Sequence, residues 1–514
     1  MGGGGGTRLA RWGVVAAPTL LAAVLALVGL DSRSLWLDEA ATVSISTQHG
    51  AALGSAMARD GGNMLGYYAL VHVLIGWFGS SVLVLRLPSA IGCTATTALV
   101  VVVADRLFTR RVAFAAGVLS AVSLPAVYWG QNVRSYALMM AFVVASYLAL
   151  LVLVDPGRGG RVSRRAWVGY VVATTLALYM SFVAVLVVPA QLVALVSHRR
   201  RVRPVVAALV VTAALCSPLA VLAVSRGSGQ LFWVPRPDYR SLGPVLVSLT
   251  SAGFEPNFHL TPTSVFLATV TVVAFLVAAA AVAARLLRGA RRAEVWGEYL
   301  VLAWLVVPLV VSFVESRVAQ PTFTARNLLI STPAAAIVLA RVVCDRRLPR
   351  LASVGLLAGF VGLRAAQLAP TYGVSPENWR FATAFVLQRV EPGDCIAFYP
   401  LDGRMAFTYY LDRAVDVPAT LPRPVLPTTP LREVIPYVER YATLRPRQLA
   451  RIRASCPRLW LLTSHEGSPT GTATSRLNYE NYLLLAGRLE ILYPRTSIST
   501  VGWASPIRIW QFGQ

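Results

Sequence analysis

The chain contains no lysine. All 47 of its basic residues are arginine, set against 23 acidic ones for a formal net charge of +24. Charge of either sign is scarce: Asp, Glu, Lys and Arg together make up 14% of 514 residues, and mean hydropathy is +0.61. That shortage excludes an ordinary soluble domain, whose surface needs about a quarter charged residues. A basic balance can signal nucleic-acid binding. Here many of the arginines fall in short loops between long apolar runs, which the positive-inside rule explains, so no nucleic-acid partner is expected. Cysteine is also sparse, at five. Cys93, Cys216 and Cys344 fall within apolar runs and read as small packing residues. No CxxC or HExxH spacing occurs, so no metal site is legible, although a divalent metal cofactor stays open.

What is abundant is apolar length. Taking about 20 apolar residues per crossing, a first run covers roughly 13–30. Further runs lie near 83–104, 112–129, 137–154, 166–181, 183–197, 204–224, 262–285, 298–315, 327–344 and 350–368, giving about eleven crossings. Arg8 and Arg11 precede the first run and place its start in the cytoplasm. No cleavage site follows it, so it reads as an uncleaved signal anchor. Arg106/Arg110/Arg111, Arg158 through Arg165, Arg199 through Arg203, Arg285 through Arg292 and Arg346/Arg347/Arg350 mark the cytoplasmic loops. The run 64–78 is too short to span comfortably and reads as a juxtamembrane helix at the outer surface. The expected architecture is a polytopic α-helical membrane module over 1–369, followed by an extracytoplasmic domain over 370–514.

From Thr371 onward the composition turns mixed. Cys395–Tyr399 and Leu459–Leu462 read as buried strands, and Ile507–Trp510 as a last strand. Phe381–Arg389, Leu431–Tyr441 and Tyr479–Leu489 read as helices, so a small α/β domain is expected. Its anticipated role is to roof the membrane site or hold an acceptor. Cys395 and Cys456 lie close to predicted strand starts and are a disulfide candidate if those strands are neighbours in an oxidising compartment.

The chemistry is concentrated at the outer face. Asp38 and Glu39 stand side by side directly after the first apolar run. A carboxylate costs about 2.5–3.5 kcal/mol at the membrane centre, so acids at a helix mouth point to function, and Asp38 reads as a catalytic base. Tyr128 to Tyr136 joins the third and fourth runs and carries Gln131, Arg134 and Tyr136. The segment Ser225–Leu260 carries Arg226, Arg236, Asp238, Arg240, Glu255 and His259. Glu315 to Arg326 leads into the tenth run. Arginines on the outer side run against the positive-inside bias and suit a phosphate, which they hold by charge-assisted bonds. Any one of them alone is better explained by snorkelling or by pairing with Asp38 or Glu39; the combined pattern of acids, arginines and aromatics on one face favours a site.

These residues resemble a GT-C glycosyltransferase of the branch containing protein O-mannosyltransferases and lipid A aminoarabinose transferases. The resemblance rests on the Asp38-Glu39 pair, on the Gln131…Arg134…Tyr136 stretch, and on Pro321…Arg326. The chain departs from the family pattern with Asn327 where Tyr is usual, and with Asn63-Met64-Leu65-Gly66-Tyr67-Tyr68 in place of Pro-Pro-Leu-Tyr-Tyr. The resemblance implies a polyprenyl-phosphate sugar donor and a glycan, glycolipid or protein acceptor outside the membrane. It implies inverting transfer, with Asp38 as base and Glu39 beside it as a second catalytic residue. Arg134 and Arg326 are then the candidates for the lipid phosphate, and Gln131, Tyr136, Tyr67 and His259 for sugar or lipid contacts. A lipid-linked sugar flippase, a solute transporter and an inert scaffold are the alternatives, though the ionisable residues and internal repeats typical of transporters are not evident.

Overall fold

The computed structural model describes residues 4–154, 163–197, 199–226, 234–250, 262–288, 295–434, 441–502 and 505–513. The N-terminal half opens with α1 (Gly4–Leu27), α2 (Leu37–Ser46), α3 (Gly50–Arg59), α4 (Leu65–Phe78) and α5 (Val82–Leu107). Then come α6 (Arg110–Ala121), α7 (Leu124–Gly130), α8 (Tyr136–Val154), α9 (Arg164–Met180) and α10 (Val187–Ala194). The bundle is completed by α11 (Arg199–Leu215), α12 (Ser217–Arg226), α13 (Leu242–Thr250), α14 (Pro262–Leu287), α15 (Trp296–Val318), α16 (Thr332–Val343) and α17 (Arg350–Thr371).

Local chemistry sets several of these boundaries. The hydroxyls of Ser81, Thr109 and Ser163 accept the amide hydrogens of Val84, Val112 and Ala166, capping α5, α6 and α9. Two glycines permit close helix approach: a Cβ on Gly92 would sit 2.7 Å from the Leu138 amide, and one on Gly117 2.3 Å from a Val101 methyl. Small residues at helix contacts serve this purpose in membranes, where apolar burial no longer drives helices together.

Among the described residues five helices are long and apolar enough to cross a membrane, and seven if each bent pair counts as one crossing. The pairs α6–α7 and α11–α12 each bend by 54°. The multi-pass character stands, while the expected count of eleven does not follow from helix length. The runs 183–197 and 327–344 open as tight 3-10 turns at Phe182–Leu186 and Asn327–Ser331, which leaves their regular helices short. The 64–78 run forms α4, whose 14 residues extend only about 21 Å.

Beyond α17 lie α18 (Trp379–Leu387), β1 (Cys395–Tyr399), α19 (Gly403–Leu411), β2 (Arg423–Leu426), α20 (Pro446–Ser455), β3 (Arg458–Thr463), α21 (Ala473–Leu492), β4 (Arg495–Val501) and β5 (Ile507–Gly513). The five strands form one sheet in the order β2-β1-β3-β5-β4, with β2, β1 and β3 parallel and β5 antiparallel to both neighbours. β1 is buried throughout, as its unbroken apolar run requires for a strand covered on both faces. Cys395 and Cys456 form a disulfide with Cα atoms 5.7 Å apart, at the point where β1 and β3 begin side by side. The loop it closes has a sequence separation of 61, which corresponds to about 4 kcal/mol in the chain-entropy picture.

The helix expected over Leu431–Tyr441 is not seen at its start. Leu431–Val434 is turn and coil, Tyr441 is irregular, and 435–440 fall outside the described residues. The buried Arg404 guanidinium takes the carbonyls of Thr429, Pro430 and Glu433, while Thr408 donates to that of Leu431. Carbonyls spent on side chains cannot feed a helical ladder.

Candidate active site

Asp38 and Glu39 occupy the second and third positions of α2, a short helix that apolar runs alone do not reveal. The unpaired amides and dipole of a helix N-terminus favour negative charge there. One Glu39 oxygen accepts the Trp36 amide at 3.3 Å, the backbone half of a capping box.

The two acids have opposite environments. Glu39 is fully buried and bidentate to Arg86, with Nε to Oε1 at 2.9 Å and Nη2 to Oε2 at 2.8 Å. It also accepts the Val133 amide at 2.7 Å. With these contacts both Glu39 oxygens are committed, and the side chain ties together α2, α5 and the loop at Val133. Arg86 completes the anchor by donating to the carbonyls of Leu30, Arg33 and Ser34. Sequence reading missed Arg86, although an arginine inside the apolar run 83–104 signals a buried partner.

Asp38 keeps 30% of its side chain exposed. Its Oδ2 lies 3.4 Å from Arg326 Nη1 and 3.6 Å from Arg134 Nη2. Both distances exceed a good hydrogen bond, so the carboxylate is flanked but not clamped. Arg134 reaches the Asp38 carbonyl and the Thr42 hydroxyl, each at 3.4 Å, and its own carbonyl is held by Ser89 at 2.9 Å. Burial disfavours the Arg134 charge, but Asp38, Tyr136, Tyr68 and Asp60 outweigh it and hold its pKa above the usual arginine range. Arg326 is presented by a turn in which Ser316 accepts the amides of Thr322 and Phe323, and Asn327 donates to the Thr322 carbonyl at 2.9 Å. The departure at Asn327 therefore has a local role in fixing this turn. One carboxylate between two guanidiniums leaves a net positive surface beside a partly free base.

The C-terminal domain grips the segment leading into α2. Ser375 accepts the Ser34 amide at 2.8 Å, and the Tyr410 hydroxyl accepts that of Leu35 at 2.6 Å. Glu377, fully buried, accepts the Leu37 amide at 3.1 Å and the Trp379 indole at 2.7 Å. Its other oxygen meets His465 Nε2 at 2.5 Å. His465 adopts a left-handed backbone (φ 51°), which costs a non-glycine residue roughly 1–2 kcal/mol. Burial lowers the His465 pKa, and Glu377, with help from Asp38 and Glu466, more than offsets this and raises it to about 9. Neither Glu377 nor His465 was singled out in the sequence, because no motif marks them.

Three other expected contacts are placed differently. Gln131 is buried and donates to the carbonyls of Ala26 and Val28 at the end of α1, while Arg33 donates to its side-chain oxygen. It closes the end of that helix. The Tyr67 hydroxyl is buried against Ser89 at 2.8 Å. Tyr136 is 5% exposed, sits edge-on to Trp129 with ring centroids 4.5 Å apart, and lies 6.0 Å beneath the Arg134 guanidinium. It supports Arg134. His259 falls outside the described residues.

Among the described residues no three His, Cys, Asp or Glu side chains converge to hold a metal. A divalent ion beside Asp38 would also face two guanidiniums, so the described donor set does not fit one.

Residues 65–223 match the family model of dolichyl-phosphate-mannose-protein mannosyltransferases. Among solved structures, ArnT from Cupriavidus metallidurans bound to undecaprenyl phosphate is similar in fold, with TM-score 0.53 and 14% identity over 97% of this chain and 98% of that one. The Archaeoglobus fulgidus oligosaccharyltransferase AglB, in complex with an inhibitory peptide and a dolichol-phosphate, gives TM-score 0.54 and 12% identity over 96% and 73% of the two chains. Among curated proteins no relative matches the chain significantly.

Proposed function

We propose that this multi-pass membrane protein of the GT-C fold, similar to mannosyltransferases and ArnT, is a glycosyltransferase drawing on a polyprenyl-phosphate sugar. The observation that carries this reading is Asp38, partly exposed at a helix N-terminus between Arg134 and Arg326. Asp38 takes the proton of an acceptor hydroxyl as that oxygen bonds to the anomeric carbon. The bond from that carbon to the phosphate oxygen breaks, and its electron pair leaves with the polyprenyl phosphate. A single displacement of this kind inverts the anomeric centre. Help from a general base is worth about 10²–10⁴-fold. The leaving phosphate gathers charge, and guanidiniums fixed beforehand stabilise it without reorganising. The acceptor approaches from the extracytoplasmic side, under the C-terminal domain, with the N-terminus in the cytoplasm.

The test is a donor screen. Purified protein is given radiolabelled polyprenyl-phosphate hexoses and pentoses with membrane extract as acceptor, and wild type is compared with Asp38→Asn. Transfer from one donor that falls at least about 10²-fold in the variant supports the reading. Wild-type turnover in Asp38→Asn removes Asp38 as base.

A further inference from the structure

At the opposite end of α5 from Arg86, about 30 Å along the helix by its rise per residue, lies a cavity of about 1570 Å³ that the transfer chemistry does not use. It opens among α1, the α5–α6 turn, the end of α16 and the start of α17. Six arginines line it: Arg110, Arg111, Arg285, Arg341, Arg346 and Arg350. Two carboxylates answer them. Glu298 pairs with Arg285 at 2.9 Å and with Arg341 at 3.7 Å, and Asp345 pairs with Arg341 at 3.5 Å. Six arginines against two carboxylates leave four positive charges uncompensated, and Arg110, Arg111, Arg346 and Arg350 form no ion pair among the described residues.

The remaining wall is apolar, with Phe108, Phe114 and Leu357 among its residues. On one side it continues onto the start of α17, where Leu351 is 86% and Val354 64% accessible. The cavity therefore joins a cationic floor to an apolar helix face. A soluble anion would use only the first, and a neutral lipid only the second.

We infer that this cavity binds an anionic membrane phospholipid, its phosphate among Arg110, Arg111, Arg346 and Arg350 and its chains along α17. Basic pockets between membrane helices at a cytoplasmic face recognise such headgroups.

Native mass spectrometry of the full-length protein, delipidated and then given defined lipids, tests the inference. Phosphatidylglycerol is expected to be retained at least ~10-fold better than phosphatidylcholine with the same chains. R346Q/R350Q is expected to lose that preference, while Arg240→Gln, outside the cavity, keeps it. Equal retention of the two lipids by wild type overturns the inference, and this comparison needs no variant to fold. Unchanged preference in a folded R346Q/R350Q overturns it too. Full displacement of the lipid by soluble glycerol phosphate at matched concentration identifies a free-phosphate site and overturns the lipid assignment.

Discussion

The adjacent acids Asp38 and Glu39 divide at the level of single side chains. Glu39 is buried with a bidentate partner, whereas Asp38 is partly exposed and loosely flanked by two arginines. Glu39→Gln is expected to strand the Arg86 charge in the interior, at a cost of roughly 3–5 kcal/mol. The protein should then unfold at lower temperature and lose activity together, as thermal scanning in detergent would show. If Glu39→Gln kept full stability while losing turnover, Glu39 would have a catalytic role. Arg134→Ala is expected to weaken donor binding roughly 10- to 100-fold, the loss of one charge-assisted hydrogen bond worth about 1.5–3 kcal/mol. Titration with the lipid-linked donor checks this, and an unchanged donor affinity would remove Arg134 from the phosphate site. The acid pair and both arginines were legible because each interrupts an otherwise apolar or small-residue context. Which acid is free was not, because it depends on Arg86, 47 residues away in sequence.

Among elements, helices with a sustained apolar run were readable, the short α4 and α18 included, whereas α2 was not. The stretch over α5 carries apolar residues far beyond what any soluble helix needs, whereas α2 is ten residues long and lacks a clear apolar period. β4 escaped notice for a related reason: it is an edge strand whose Arg-Thr-Ser-Ile-Ser-Thr-Val sequence is mostly exposed. β2 was hidden among prolines, which an edge position tolerates. The contact between α2 and the C-terminal domain runs through Glu377 and His465, and it carries a pH signature. His465 titrates near 9 when folded against 6.5 as its ordinary value, so its stabilising pairing is fully present below about pH 6.5. It is lost as pH rises through 9. With a third of the side chain exposed, the effect is expected to be on the order of 1 kcal/mol. Thermal stability measured from pH 6 to 10 should fall across that window in wild type and run flatter in His465→Gln. Parallel curves would show that the pair contributes nothing.

In the whole molecule, the helical bundle and the C-terminal α/β domain meet on the segment that carries the candidate base. Among the described residues, Ser34, Leu35 and Leu37 bond directly to Ser375, Tyr410 and Glu377. The division into a helical part and a mixed part was visible from composition, but their dependence on one another was not, since hydrogen bonds across the boundary leave no periodic trace. These bonds also impose an order in time. Glu377 follows Leu37 by 340 residues, and a ribosome adding about 5–20 residues per second takes roughly 20–70 s to supply it. Until then the segment leading into α2 lacks its partners Ser375, Glu377 and Tyr410, so on the proposed function the assembled site is expected only after the chain has passed Tyr410. A chain ending at residue 369 is accordingly expected to insert into membranes and bind donor, yet to turn over at least about 10²-fold more slowly than the full protein. Full activity from that truncated chain would show that the base helix sets itself.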